Sequence, residues 1–201
     1  MDLSGPKQKL LVVMSATGAG KWRLSLDLAA RFPPATFEVI NAHKMQVYRG
    51  LDVTTNKLSA SERRVLGEFD SRDGDLTAAE FRRLAAQAVD GILSRRKVPV
   101  LVGGSNSFIH ALLVERSDPD VVDAFDGEVA ASSEPRYDCC FLWVDVSLPV
   151  LTAYLSQRVE EMVDSGMFLE LAEFHGQNLA VRSGKRKAIG WRSSAVEKGS
   201  V

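Results

Sequence analysis

The residues best placed to do chemistry lie in one stretch near the N-terminus, Ser15–Ala16–Thr17–Gly18–Ala19–Gly20–Lys21–Trp22. A small-residue turn with glycines and a lysine, set between an apolar strand and a helix, lets backbone N–H groups and a helix N-terminus face an anion. The phosphate-loop pattern is Gly-x-x-x-x-Gly-Lys-[Ser/Thr]. Gly20 and Lys21 satisfy its core, but Ser15 stands where the first Gly belongs and Trp22 where the hydroxyl belongs. The stretch therefore points to phosphate binding on an altered loop. Ser15 would cost about 1 kcal/mol if the position demands positive φ. Trp22 removes the hydroxyl offered to Mg²⁺, and its indole reads as a side chain turned onto the sheet as core.

Such a loop works only at the end of a strand. Leu10–Met14 supplies it, and Lys21–Arg31 follows as a helix stopped by Phe32–Pro33–Pro34. Phe37–Ile40 is a second strand ending at Asn41, and Ala42–Lys57 is polar with a turn at Tyr48–Gly50. Ser59 with Glu62, and Thr77 with Glu80, both match the capping box. The first would open a short helix to Leu66. The second opens an amphipathic helix, with Phe81, Leu84, Ala85, Ala88, Val89, Ile92 and Leu93 at helical spacing.

Val98–Val102 then reads as a buried strand, and Gly103–Ser107 turns into a helix over Phe108–Val114. Residues 115–136 read as a flexible insertion. Cys139–Val146 is a strongly apolar strand, and helices run from Pro149 to about Val163 and from Phe168 to about Ala180. From about residue 182 the composition reads as a weakly ordered tail. Strands alternating with helices predict an α/β fold, a parallel sheet flanked by helices with ligands at the carboxyl ends of its strands. Ser15–Lys21, Asn41–Lys44 and Gly103–Ser107 then share one rim. Asp145 joins them, either as a loop or capping carboxylate or as a metal-binding acid.

With 201 residues and 45% hydrophobic content, a single domain over 1–201 has a full core. Balanced charge, 25 basic against 26 acidic residues, excludes bulk attraction to nucleic acid or an anionic membrane. Cys139 and Cys140, adjacent and among apolar neighbours, read as core thiols of a reduced, intracellular protein. No apolar run approaches the ~18–20 residues of a membrane span. The N-terminus shows no secretory or transit signal, so a cytoplasmic location is expected.

Several longer strings resemble the plant adenylate isopentenyltransferases, relatives of the tRNA dimethylallyltransferases. They are Asn41–Ala42–His43–Lys44–Met45–Gln46–Val47–Tyr48, Thr55–Asn56–Lys57, Gly103–Gly104–Ser105–Asn106–Ser107, Tyr137 to Asp145, Arg158 to Val163 and Arg186–Lys187–Ala188–Ile189–Gly190. The resemblance runs from about Lys9 to Gly190. It implies the fold of the P-loop nucleoside-triphosphate hydrolases, with a truncated C-terminal helical part. The implied activity transfers dimethylallyl from dimethylallyl diphosphate to N6 of AMP, ADP or ATP in cytokinin biosynthesis, with Mg²⁺ as cofactor. tRNA is disfavoured as acceptor, because no anticodon-binding extension is visible and the charge is near neutral. By the same resemblance a plastid is the alternative location.

The resemblance gives Thr17, Gly18, Gly20 and Lys21 the diphosphate, and Ser105 a phosphate or the nucleotide. It gives Arg158, Arg186 and Lys187 phosphate oxygens, with Lys57 a further phosphate candidate. Without it, Arg158 reads as a solvated helix face, Arg186–Lys187 as a charged tail and Lys57 as a surface lysine. At the family's general-base position, an Asp that takes the proton from N6, this chain has His43. Imidazole can act as a base, yet it offers one acceptor and a different reach. Impaired transfer is the expectation, and Trp22 argues against Mg²⁺ binding. His43, His110 and His175 lack ligand spacing, so the residues give no metal site. The family's Val-Pro-His-His segment is missing between Val65 and Leu66. The alternatives are a non-catalytic, nucleotide-binding remnant of the family or a P-loop kinase or ATPase.

Overall fold

Alternation along the first strand explains its central place: Leu10 and Val12 point to one face of a sheet and Val13 to the other, all three fully buried. Strands β1 (Lys9–Ser15), β2 (Phe37–Asn41), β3 (Val98–Gly103) and β4 (Asp138–Val144) pair in the order β2–β3–β1–β4, every pair parallel. The helices are α1 (Lys21–Arg31), α2 (Ala78–Ser94), α3 (Asn106–Leu113), α4 (Leu148–Asp164) and α5 (Met167–Leu179). This computed structural model describes residues 6–32, 36–57, 69–70, 74–115 and 134–179. The expected α/β architecture, a parallel sheet flanked by helices, is present. The Ser59–Leu66 helix, the site of the missing segment at Val65–Leu66, most of the insertion and the tail from about 182 lie outside the described residues. The two ends of the insertion are pinned together, with Glu115 N–H donating to Glu134 O and Arg136 N–H to Leu113 O.

One face of the sheet carries the larger core. Leu10, Val12, Ile40 and Leu101 pack under Phe81, Ala85, Val89 and Ile92 of α2 and under Phe108 and Leu112 of α3. The Phe81 and Phe108 rings stack with centroids 4.3 Å apart. α2 starts where the sequence predicts, on a complete capping box: Glu80 N–H donates to Thr77 Oγ1 and Thr77 N–H to Glu80 Oε2. The opposite face is smaller, with Val13, Val39, Val100 and Val102 against Trp22 and Leu24 of α1.

The fourth strand departs from expectation. Its apolar composition reads as buried, yet Phe141 is 56% and Trp143 67% exposed, Cys140 is exposed and Cys139 half-buried. The reason is topological: β4 pairs only with β1 and forms an edge among the described residues. The strand also ends at Val144 rather than Val146, where the chain turns into α4.

Candidate functional site

All four strands end on one rim, and the phosphate-type loop sits at its middle. Gly18 and Gly20 have φ of 84° and 89°, so these two positions need glycine. Ser15 does not have positive φ; it ends β1 in extended backbone with its hydroxyl donating to Ala16 O. The torsional cost raised by its replacing a glycine is therefore absent. Gly20 caps α1 without a side-chain hydrogen bond, and the first turn of α1 holds no acidic residue. That leaves the positive end of the helix directed at the loop. Thr17 lies exposed at the loop tip.

Lys21, the first residue of α1, is only 6% exposed, and its Nζ lies 3.4 Å from Ala16 O. A Cβ added to Gly104 would sit 3.8 Å from that Nζ, so the end of β3 backs the lysine. Gly103 is tighter still: a Cβ there would strike the Ala42 carbonyl, which brings β2 and β3 together at their carboxyl ends. Ser105 joins the same two strands. Its N–H donates to Ala42 O and its Oγ accepts from Lys44 N–H at 2.8 Å.

His43 follows β2 in a turn fixed by Asn41, whose Oδ1 accepts the His43 N–H at 2.9 Å. Its Nδ1 is buried and has no hydrogen-bond partner among the described residues; the same holds for Arg158 Nε on α4. α4 reaches the loop because Gly18 has no side chain: a Cβ there would lie 2.8 Å from Leu155 and close to Tyr154 and Leu151. Burial and, less strongly, the Arg158 charge hold the Lys21 ammonium below its ordinary pKa. Burial, then Lys21, then Arg158 push the His43 imidazole down to about 4. The cluster is a positive well containing a neutral imidazole, which attracts a polyanion.

The structure thus brings Gly18, Gly20, Lys21, His43 and Arg158 together, with Thr17 and Ser105 on the same rim. Lys57 is elsewhere in its bonding. Its side chain is 1% exposed, and Nζ donates to Gly50 O at 2.6 Å and pairs with Asp52 at 2.8 Å. These bonds brace its own turn. Arg186 and Lys187 lie outside the described residues. Asp145 sits just past β4, exposed. Trp22 packs on Val13, Val39, Val100 and Val102 as core, its Nε1 buried and unpartnered among the described residues. The indole gives a metal no acceptor, and no group of three His, Cys, Asp or Glu side chains gathers among the described residues. This donor set does not fit a protein-held Mg²⁺.

Two features escape sequence reading. Asn41 and Gln46 order the His43 turn, through Asn41 Nδ2 to Gln46 Oε1 and Gln46 Nε2 to Asn56 O. The Asn-x-His spacing of an Asx turn was a usable local signal. Glu170 of α5 holds the 51–57 turn from 116 residues away, and nothing local announces it.

A family model described as IPP transferase matches residues 46–134. An adenylate isopentenyltransferase of Humulus lupulus is 58% identical over 192 residues, which is 89% of this chain and 57% of that protein.

Over most of its length the chain is similar to the plant adenylate isopentenyltransferases, and in part to the IPP transferase family.

A chloroplastic adenylate isopentenyltransferase of Arabidopsis thaliana is 52% identical, over 92% of this chain and 53% of its own. The chain therefore spans little more than half the length of these relatives. A eukaryotic dimethylallyltransferase acting on tRNA shares the fold, with a TM-score of 0.73 at 21% identity over 88% of this chain and 58% of that one. The tRNA isopentenylpyrophosphate transferase of Staphylococcus epidermidis does so at 0.68 and 23%, over 87% and 76%. No helix among the described residues is long and apolar enough to cross a membrane.

Proposed function

We propose that this protein binds an allylic diphosphate and an adenine nucleotide at the rim and transfers the dimethylallyl group to N6 slowly. The observation that carries this reading is the convergence of Lys21, Arg158 and His43 over the Gly18–Gly20 turn. In the reaction the allylic C–O bond breaks, its electron pair leaves with diphosphate, carbon bonds to N6, and N6 loses a proton. Lys21, Arg158 and the loop N–H groups would take the charge growing on the leaving diphosphate. Mg²⁺ would enter only with the phosphates, because Trp22 leaves no hydroxyl for it.

His43 would receive the proton. Its pKa of about 4 lies beside the ~3.9 of an ordinary aspartate, so the two groups match in basicity. They differ in charge. A carboxylate starts negative and becomes neutral on taking the proton, whereas imidazole starts neutral and becomes a third cation beside Lys21 and Arg158. That difference is why the reading is slow transfer rather than full activity.

The test is a radiolabelled dimethylallyl diphosphate assay with AMP, ADP and ATP, beside calorimetry with inorganic diphosphate. Wild type is expected to bind diphosphate and turn over far below an intact relative. His43→Asp combined with Trp22→Ser is expected to raise the rate. Diphosphate binding without gain in that double variant favours the second reading, a binding protein without turnover. Turnover equal to an intact relative, or no diphosphate binding at all, overturns the proposal.

A further inference from the structure

We propose that Glu170 is a positioning residue that sets Arg158 against His43 and Lys21 by latching the α4–α5 pair onto the turn at 51–57. Its Oε1 accepts from Val53 N–H at 3.0 Å, and its Oε2 accepts from Thr54 N–H at 2.8 Å and from Thr54 Oγ1 at 2.7 Å. The turn it holds is internally rigid. Thr55 N–H and Oγ1 both donate to Leu51 O, Asn56 N–H donates to Val53 O, Lys57 N–H to Asp52 O, and Thr54 is fully buried. Val53 and Thr54 are the N–H groups that such a turn leaves outward, as in the first turn of a helix.

From that turn a line of hydrogen bonds reaches the site. Asn56 O accepts from Gln46, Gln46 Oε1 accepts from Asn41, and Asn41 Oδ1 accepts from the His43 N–H. On the other side, α5 is joined to α4 through a short bend in which Gly166 has φ of 92°. α4 carries Arg158 yet has no buried residue. Its apolar hold on the body includes the contact of Leu151, Tyr154 and Leu155 with Gly18. A helix with so little buried surface needs a second anchor to keep one side chain in register, and Glu170 supplies three charge-assisted hydrogen bonds.

The role rests on the proposed diphosphate site, but the latch itself can be tested without ligand. Glu170→Gln keeps size and loses acceptor capacity, and Glu170→Ala removes the group. Both are examined in the full chain by amide hydrogen exchange across 51–57 and by imidazole NMR titration of His43. Exchange is expected to rise at least tenfold, and the His43 pKa to rise measurably above about 4 as Arg158, which depresses it less than burial and Lys21 do, withdraws. Inorganic diphosphate binding is expected to weaken about tenfold or more. In Arg158→Ala/Glu170→Ala it should be no weaker than in Arg158→Ala alone, because the two residues act as one. A His43 titration unchanged in both Glu170 variants overturns the latch, and so do independent, multiplying effects on diphosphate affinity. Absence of diphosphate binding by wild type sinks the proposed function instead, and the exchange and titration results still decide the latch.

Discussion

Replacing His43 with Asn should flatten the acid side of the stability curve. In the unfolded chain this imidazole binds a proton near its reference value of 6.5; folded, it resists protonation until about 4. Between those values the unfolded state holds more protons, so stability falls as pH falls from about 7 towards 4. Above about 7.5 the group is neutral in both states and contributes nothing to the slope. At ~1.4 kcal/mol per pH unit, the full effect is about 3 kcal/mol once pH is below 4. That is a sizeable share of the ~5–15 kcal/mol that holds an ordinary domain folded. Urea unfolding of wild type and His43→Asn at intervals from pH 4 to 8 measures it, because the carboxylates common to both proteins cancel in the difference. The wild-type curve should lose about 2–3 kcal/mol more than the variant across the window. Parallel curves, or an imidazole resonance titrating near 6.5, would refute the burial and like-charge argument for the site.

Lys21→Met should abolish inorganic diphosphate binding in calorimetry while raising the urea midpoint. It removes a buried ammonium whose pKa is held down by burial and by Arg158. Gly103→Ala should cost about 1–3 kcal/mol in urea unfolding, since its Cβ meets the Ala42 backbone rather than a side chain that can swing away. Amide exchange should rise at Ala42 and Ser105 in that variant. Thr77→Ala should cost about 1 kcal/mol by removing the hydroxyl that accepts from Glu80 N–H, while the N–H of residue 77 still donates to Glu80, without changing ligand binding.

Local physics made much of this fold readable. The Thr77–Glu80 pair announces α2 because a capping box is written within four residues. The strands showed themselves as apolar runs ending in turn residues, and their parallel pairing followed from the helices between them. Gly18 and Gly20 are legible as loop glycines, while the condition on Ser15, positive φ, is not met because β1 runs through it. β4 was misjudged because apolar composition does not say whether a strand has neighbours on both sides. The bonding of Lys57 is not legible from its charge, since its partners are set by how its turn closes on Gly50 and Asp52. Arg158 became part of the site only once α4 lay on Gly18, a contact between residues far apart in sequence. The depressed imidazole of His43 likewise follows from the fold, first through its burial and then through the meeting of two cations.

The indole at position 22 has an optical consequence. Trp22 lies half-buried on the sheet with its Nε1 away from solvent, one residue after Lys21, whereas Trp143 is two-thirds exposed on the sheet edge. Their emission should therefore separate, Trp22 to the blue and shielded from iodide, Trp143 to the red and readily quenched. Charge arriving at the loop changes the field along the first turn of α1, where Trp22 sits. The side chain that displaces the hydroxyl of an ordinary phosphate loop thus becomes its resident fluorophore, able to report occupancy in a cuvette without a label.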